Sequence, residues 1–196
     1  MGLVVSVLSL LLIVTFLLLL KNIKLNKRLL EIASHDSLTG ILTRRYFIEF
    51  GLTQTDRSLR LKKECFLIMF DLDHFKVVND TYGHQAGDQV LKDITQRVKS
   101  AIRPYDLFGR YGGEEFVILM FDTDKANTIS ATERIRQAVC KTPVEFEGKQ
   151  ISISASFGIA FVAPKNDIET AIKHADEALY SAKAKGRNTV IFYEQP

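Results

Sequence analysis

Phe108–Met120 reads FGRYGGEEFVILM. Two apolar runs flank two glycines and two adjacent carboxylates, Glu114 and Glu115. Gly112 and Gly113 between strand-like runs predict a hairpin, because glycine reaches positive φ without steric cost. A solvated turn has no need of two neighbouring negative charges, which repel each other. Upstream, ECFLIMFDLD (Glu64–Asp73) is a continuous apolar run that ends in acids, the pattern of a buried central strand. If the two strands are neighbours, Asp71 and the Glu114–Glu115 pair converge at one edge of a sheet. Oxygen ligands of this kind, with the Leu72 carbonyl as a further one, suit a hard divalent cation and substrate phosphates. Two cations held this way serve phosphoryl transfer. The glycines would then also let a phosphate come close to the backbone. Two solvated acidic turns would give the same spacing, and the spacing alone leaves both readings open.

Working outward, RRYFIEFGL predicts a helix, and HFKVVNDTYG a short helix closed by Gly83. HQAGDQVLKDITQRVKSAIR carries Val90, Leu91, Ile94, Val98 and Ile102 at helical spacing and stops at Pro104. DKANTISATERIRQAVC and DIETAIKHADEALYSAKAKG are two more helices. VEFEGKQISISASFGIAFV reads as a second hairpin turning at Glu147–Lys149, and NTVIFY as a last strand. The expected domain is α+β, with a mostly antiparallel sheet and helices on its faces. Phe75, Phe116 and the FVILM run belong to its core. Asp73 is expected to face away from Asp71 and to be structural.

The chain has 196 residues, 46% of them hydrophobic, enough for one well-packed domain and an appendage. Residues 1–33 hold Lys21, Lys24, Lys27 and Arg28 against Glu31, which accounts for the whole net charge of +3. The remainder is neutral, which argues against nucleic acid bound through bulk charge. Cys65 and Cys140 lack metal-ligand spacing and read as reduced thiols. Gly2–Leu20 contains no charged residue. Its length suits a bilayer span, and it lacks the basic start and small-residue cleavage site of a signal peptide. The expected organisation is a transmembrane helix over 1–20, a helical stalk over 21–34 and a globular domain over 35–196. The stalk suits a short coiled coil or a basic helix resting on headgroups. The basic cluster after the span places the domain on the cytoplasmic side of a bacterial inner membrane.

At this point the motifs become recognisable. RYGGEEF resembles the GGDEF family signature in its GGEEF form. DSLTGILTRR, FDLDHFKVVNDTYGHQAGDQVL, RPYDLFGRYGG and ADEALYSAKAKGRN resemble that family's entry segment, metal- and guanine-binding stretch, approach to the signature and closing helix. The resemblance runs in order from about Asp36 to the C-terminus. It implies a palm-like domain similar to class III nucleotidyl cyclases and some polymerases. It also implies a diguanylate cyclase, which condenses two GTP into cyclic di-GMP and releases two pyrophosphates.

By the same resemblance, Asp71, the Leu72 carbonyl and Glu114 are metal ligands, and Glu115 helps hold a second ion. Two Mg²⁺ per site are implied, with Mn²⁺ as a substitute. Glu114 is the implied acceptor of the 3′-hydroxyl proton, and Lys76 neutralises transition-state charge. Asn79 and Asp88 read guanine, and His84 is a further substrate contact. Gly112 and Gly113 give phosphate access to the backbone. Lys183 and Arg187 are the implied phosphate-binding pair, and a spacing of one helical turn would put them on one face of the closing helix. Lys76, Asn79 and His84 taken alone read better as an ordinary polar helix surface. Arg103 and Asp106 form an RxxD pattern, which in the family binds cyclic di-GMP as inhibitor, and Arg134 falls where a second arginine completes that site. Without the resemblance, Arg103 and Asp106 would read as a surface ion pair of little consequence. A homodimer is implied, since each domain holds one GTP. The rival readings are a degenerate domain that binds GTP or cyclic di-GMP without turnover, and a polymerase-like or adenylyl-type nucleotidyltransferase.

Overall fold

Strand β2 (Cys65–Leu72) is buried along its whole length because it pairs antiparallel on both sides. Its neighbours are β4 (Glu115–Phe121) and β7 (Ala155–Phe161). The computed structural model describes residues 2, 11–24, 34–163 and 168–194. Outside β4 lies β3 (Leu107–Gly112), antiparallel to it, and then β1 (Leu42–Thr43), parallel to β3. On the other side β8 (Val190–Phe192) runs parallel to β7, giving the order β1-β3-β4-β2-β7-β8. The sheet is therefore mixed: antiparallel at its centre, as expected, with a parallel strand at each edge.

Alternation along β2 divides the core. Phe66, Ile68, Phe70 and Leu72 face one layer of helices: α2 (Phe75–Tyr82), α3 (His84–Ala101) and α4 (Lys125–Cys140). Cys65, Leu67 and Met69 face the other layer, α1 (Arg44–Arg60) and α5 (Ile168–Ala184). Directly behind the acidic edge, Phe70 stacks between Phe116 and Phe157, at centroid distances of 5.0 and 4.9 Å. These three rings lie opposite one another in the pairing of β4, β2 and β7, so they fix that register from the apolar side.

Two expectations need correction. The stretch read as a second hairpin is divided: β5 (Val144–Phe146) and β6 (Lys149–Ile151) form a separate two-stranded sheet, and β7 joins the main one. The intervening residues 152–154 belong to no strand. In the signature, only Gly113 takes positive φ, at 39°; Gly112 ends β3, beside an irregularity in its pairing. At the N-terminus, residues 11–24 are helical. The expected span over 1–20 and stalk over 21–34 lie partly outside the described residues. Among the described residues, no helix is long and apolar enough to cross a membrane.

Helix α5 packs against β7 at a glycine. A Cβ on Gly158 would stand 2.0 Å from the Ala175 carbonyl oxygen and 2.3 Å from the Leu179 nitrogen, both backbone atoms that cannot rotate aside. Gly158→Ala should therefore lever α5 from the sheet and destabilise the domain by about 1–3 kcal/mol, the range for overpacking. Thermal melting checks this, at about 2–4 °C lost per kcal/mol in a domain of this size.

Candidate active site

The register of β2 and β4 sets Asp71 directly opposite Glu115, on the face that looks toward α5. Glu114 occupies the turn before β4, and its carbonyl accepts from the Leu72 N–H at 3.3 Å. The two acidic clusters thus meet at one sheet edge, as the spacing suggested. Arg110 steadies the turn. Its Nε donates to the Gly113 carbonyl at 2.9 Å, and its Nη1 reaches both oxygens of Asp36 at 3.1 and 3.2 Å. Burial raises the Asp36 pKa, but hydrogen bonds from Thr39 and the Arg110 charge outweigh it and hold the carboxyl below the ordinary range.

The other three carboxyls behave in the opposite way. Burial, chiefly, pushes Asp71 above the ordinary range, against the pull of Lys183, whose Nζ lies 3.0 Å from Asp71 Oδ2. Burial and then the Asp71 charge push up both Glu114 and Glu115. Asp176, on α5, adds further repulsion at Glu115. The site is an all-oxygen cluster short of positive charge, the setting that a hard divalent cation relieves, so the residues fit such an ion. Among the described residues, no three acidic, histidine or cysteine side chains already close around one point.

Lys183 is the last lysine of α5, and Arg187 is close enough to lower the Asp71 pKa. The two do not share a helical face, however. The helix ends at Ala184, and Gly186, Arg187 and Asn188 follow with φ of 106°, 65° and 44°. Arg187 arrives from a left-handed loop. Asp73 also departs from expectation. It does not face away from Asp71: it lies in the turn just after β2, hydrogen-bonded to Ser156, the residue paired with Asp71 across β7, and its charge pushes the Asp71 carboxyl up. Its structural role holds: it accepts from Ser154 Oγ and Ser156 Oγ, each at 2.7 Å, and from the Asn188 N–H at 3.0 Å.

Of the implied guanine readers, Asn79 is half-buried on α2 and Asp88 is exposed on α3. Gly87 brings the helices together there: a Cβ on it would lie 2.0 Å from Asn79 Oδ1. Lys76, in the first turn of α2, and His84, at the start of α3, are exposed. At the opposite end of β3, Arg103, Asp106 and Arg134 come together around a cavity of about 70 Å³. Asp106 Oδ2 accepts from the Arg103 backbone N–H at 3.0 Å, and burial pushes its carboxyl up. Asp106 Oδ1 is buried without a partner at full hydrogen-bond geometry. The Arg103 guanidinium lies 5.8 Å from the Tyr105 ring centroid, and the ordinary ion pair with Asp106 is not among the salt bridges of the described residues. Asp176 was not anticipated as part of the site. It precedes Lys183 by two helical turns, a spacing that places both on one face.

Residues 33–189 match the family described as "Diguanylate cyclase, GGDEF domain". The chain is 37% identical over 171 residues to Diguanylate cyclase A of Treponema denticola, covering 84% of this chain and 46% of that protein. It is 39% identical over 165 residues to the response regulator PleD of Caulobacter vibrioides, covering 83% and 36%. The chain thus spans less than half the length of these relatives. Among solved structures, the coiled coil and GGDEF domain of DgcB from Caulobacter crescentus, in complex with c-di-GMP, superposes with a TM-score of 0.85. There the identity is 26%, over 94% of this chain and 98% of that one.

Because the Glu115 pKa is raised, the folded state binds its proton more tightly than the unfolded state. Stability is therefore lost as pH rises from the ordinary carboxylate range through the raised value. Glu115→Gln should raise the melting temperature of the metal-free protein at pH 7. The gain should disappear near pH 4, where the wild-type carboxyl is protonated. Melting curves of both proteins at the two pH values check this.

Proposed function

This chain belongs to the GGDEF diguanylate cyclase domain family, and from that membership we propose that it condenses two GTP molecules into cyclic di-GMP. The observation that carries the reading is the cross-strand pairing of Asp71 with Glu115, with Lys183 3.0 Å from Asp71. Oxygen ligands and a phosphate-seeking cation stand at one edge, above a rigid apolar floor. Asn79 and Asp88 offer acceptors and a donor for a guanine edge, and Asp88 accepts from N1–H and the exocyclic amine together, which adenine cannot offer. His84 adds a polar contact at the start of α3. Lys183 and Arg187 hold phosphate oxygens, and Gly112 and Gly113 leave room for them beside the backbone.

Asp71, the Leu72 carbonyl, Glu114 and Glu115 would hold two Mg²⁺, or Mn²⁺, which supply positive charge to the phosphate oxygens and acidify the attacking hydroxyl. Glu114 takes the proton of one GTP's 3′-hydroxyl as that oxygen bonds to the α-phosphorus of the other GTP. The bond to pyrophosphate breaks on the far side, in line. Lys76 offsets charge as it spreads over the phosphoryl oxygens. A second such transfer closes the ring. Each domain presents one GTP, so the reaction needs a homodimer, and a membrane-held stalk would raise the effective concentration of partners. Residues 1–20 would supply that anchor, with the domain on the cytoplasmic side of a bacterial inner membrane.

Arg103, Asp106 and Arg134 form the proposed product site. The buried Asp106 Oδ1, which has no partner at full hydrogen-bond geometry, supports it, since such an acceptor can still take a donor such as a guanine edge. Two guanidinium forks beside it suit phosphate.

Incubation of the full chain with GTP and Mg²⁺, with mass detection of product, tests the activity. Nucleotide binding without product would favour the receptor reading. Glu114→Gln should cut turnover by about 10²–10³, the scale of one electrostatic contributor, without lowering the melting temperature. Near-normal turnover would remove Glu114 from the chemistry. Arg103→Ala should keep the initial rate and weaken product inhibition roughly ten- to hundredfold, as expected for a lost charged contact of about 1.5–3 kcal/mol. Progress curves with and without added cyclic di-GMP measure this, and unchanged inhibition would make Arg103 a bystander.

A further inference from the structure

Arg187 and Asn188 both take left-handed backbone conformations, at φ of 65° and 44°. Asparagine tolerates that region, whereas arginine enters it only when the surroundings hold it there. Asn188 is gripped on two sides. Its backbone N–H donates to Asp73 Oδ2 at 3.0 Å, and its side-chain Oδ1 accepts from Arg136 Nη1 at 2.7 Å. Both grips are braced. Asp73 is 4% exposed and is fixed by Ser154 and Ser156 through its two oxygens. Arg136, on α4, is aligned by Glu133, whose carboxylate accepts from its Nε at 2.9 and 3.0 Å. The clamp therefore joins the end of β2, the start of β7, α4 and the loop after α5.

We propose that Asp73 and Arg136 are positioning residues that clamp Asn188, and so set where Arg187 stands against Asp71 when substrate phosphates bind. This rests on the reading of Lys183 and Arg187 as a phosphate site. Asp73 lies two residues beyond Asp71, in the turn that follows β2, where its N–H is tied to the Ser154 carbonyl at 2.8 Å, so the clamp refers the phosphate loop to the carboxylate edge itself. A loop free to leave φ > 0 at residue 187 would swing its guanidinium away. Among the described residues, no hydrogen bond or ion pair links Asn79 or Asp88 to Asp73, Arg136 or Asn188, so base reading would be untouched.

The two arms of the clamp supply the test. Arg136→Gln, at a side chain 18% exposed on a helix flank, leaves the core intact. Asp73→Asn keeps shape but turns one acceptor into a donor facing donors. Calorimetry of the full chain with a non-hydrolysable GTP analogue and Mg²⁺, alongside guanosine, reads phosphate affinity separately from base affinity. Each variant should weaken the triphosphate about tenfold and leave guanosine unchanged. The double variant should lose little more than either single one, because both serve one contact. Equal loss for guanosine and triphosphate, or triphosphate affinity unchanged in Arg136→Gln, overturns the clamp. Wild-type protein that binds the analogue no better than guanosine overturns the phosphate site on which the clamp depends, and the clamp with it.

Discussion

The register between β2 and β4 is the constraint on which the rest depends. It sets Asp71 against Glu115 across a ladder, two like charges with no freedom to part. In an exposed sheet this pair would shift register or be lost. Here the stacked rings of Phe116, Phe70 and Phe157 lie one residue deeper on the opposite face, and a one-residue slip would turn all three toward the charged side. Apolar packing thus holds electrostatic repulsion in place. The raised carboxyl pKa values of Asp71, Glu114 and Glu115 express what remains uncompensated after Lys183 has contributed.

Compensation reaches the edge from helices brought unusually near. Gly158 lets the backbone of α5 lie on β7, which aims Lys183 at Asp71. Gly87 does the same on the other layer, letting Asn79 rest against α3 beside Asp88. Both glycines are close-approach positions within regular elements, and neither has positive φ. Their function is to remove a Cβ where two elements carrying site residues converge.

The cavity at Arg103, Asp106 and Arg134 stands at the far end of β3 from the signature turn. A ligand there would touch α4 through Arg134, and α4 also carries Arg136, which holds Asn188. The two ends of the domain are thus joined through one helix.

Much of this was legible in the sequence. The six-residue apolar run Cys65–Phe70, followed by acids, reads as a buried central strand, so β2 was legible, whereas the spacing of its carboxylates fitted a solvated turn equally well. The Gly-Gly turn between alternating runs declared the hairpin, and ordered motifs over most of the chain declared the family. The periodicity of α3 and its stop at Pro104 were equally direct. Other features were decided only by the tertiary structure. The closing motif suggests an unbroken helical face for Lys183 and Arg187. Gly186 and two left-handed residues end that helix, because Asp73 and Arg136, distant in sequence, offer Asn188 partners that local propensity cannot register. The stretch from Val144 to Val162 alternates like one hairpin, yet it divides between two sheets, because β2 needs an antiparallel neighbour on its second side. Local pattern fixes which residues are strand, helix or turn through the geometry of single residues. Which strand pairs with which, and which charges therefore face each other, is decided by long-range burial.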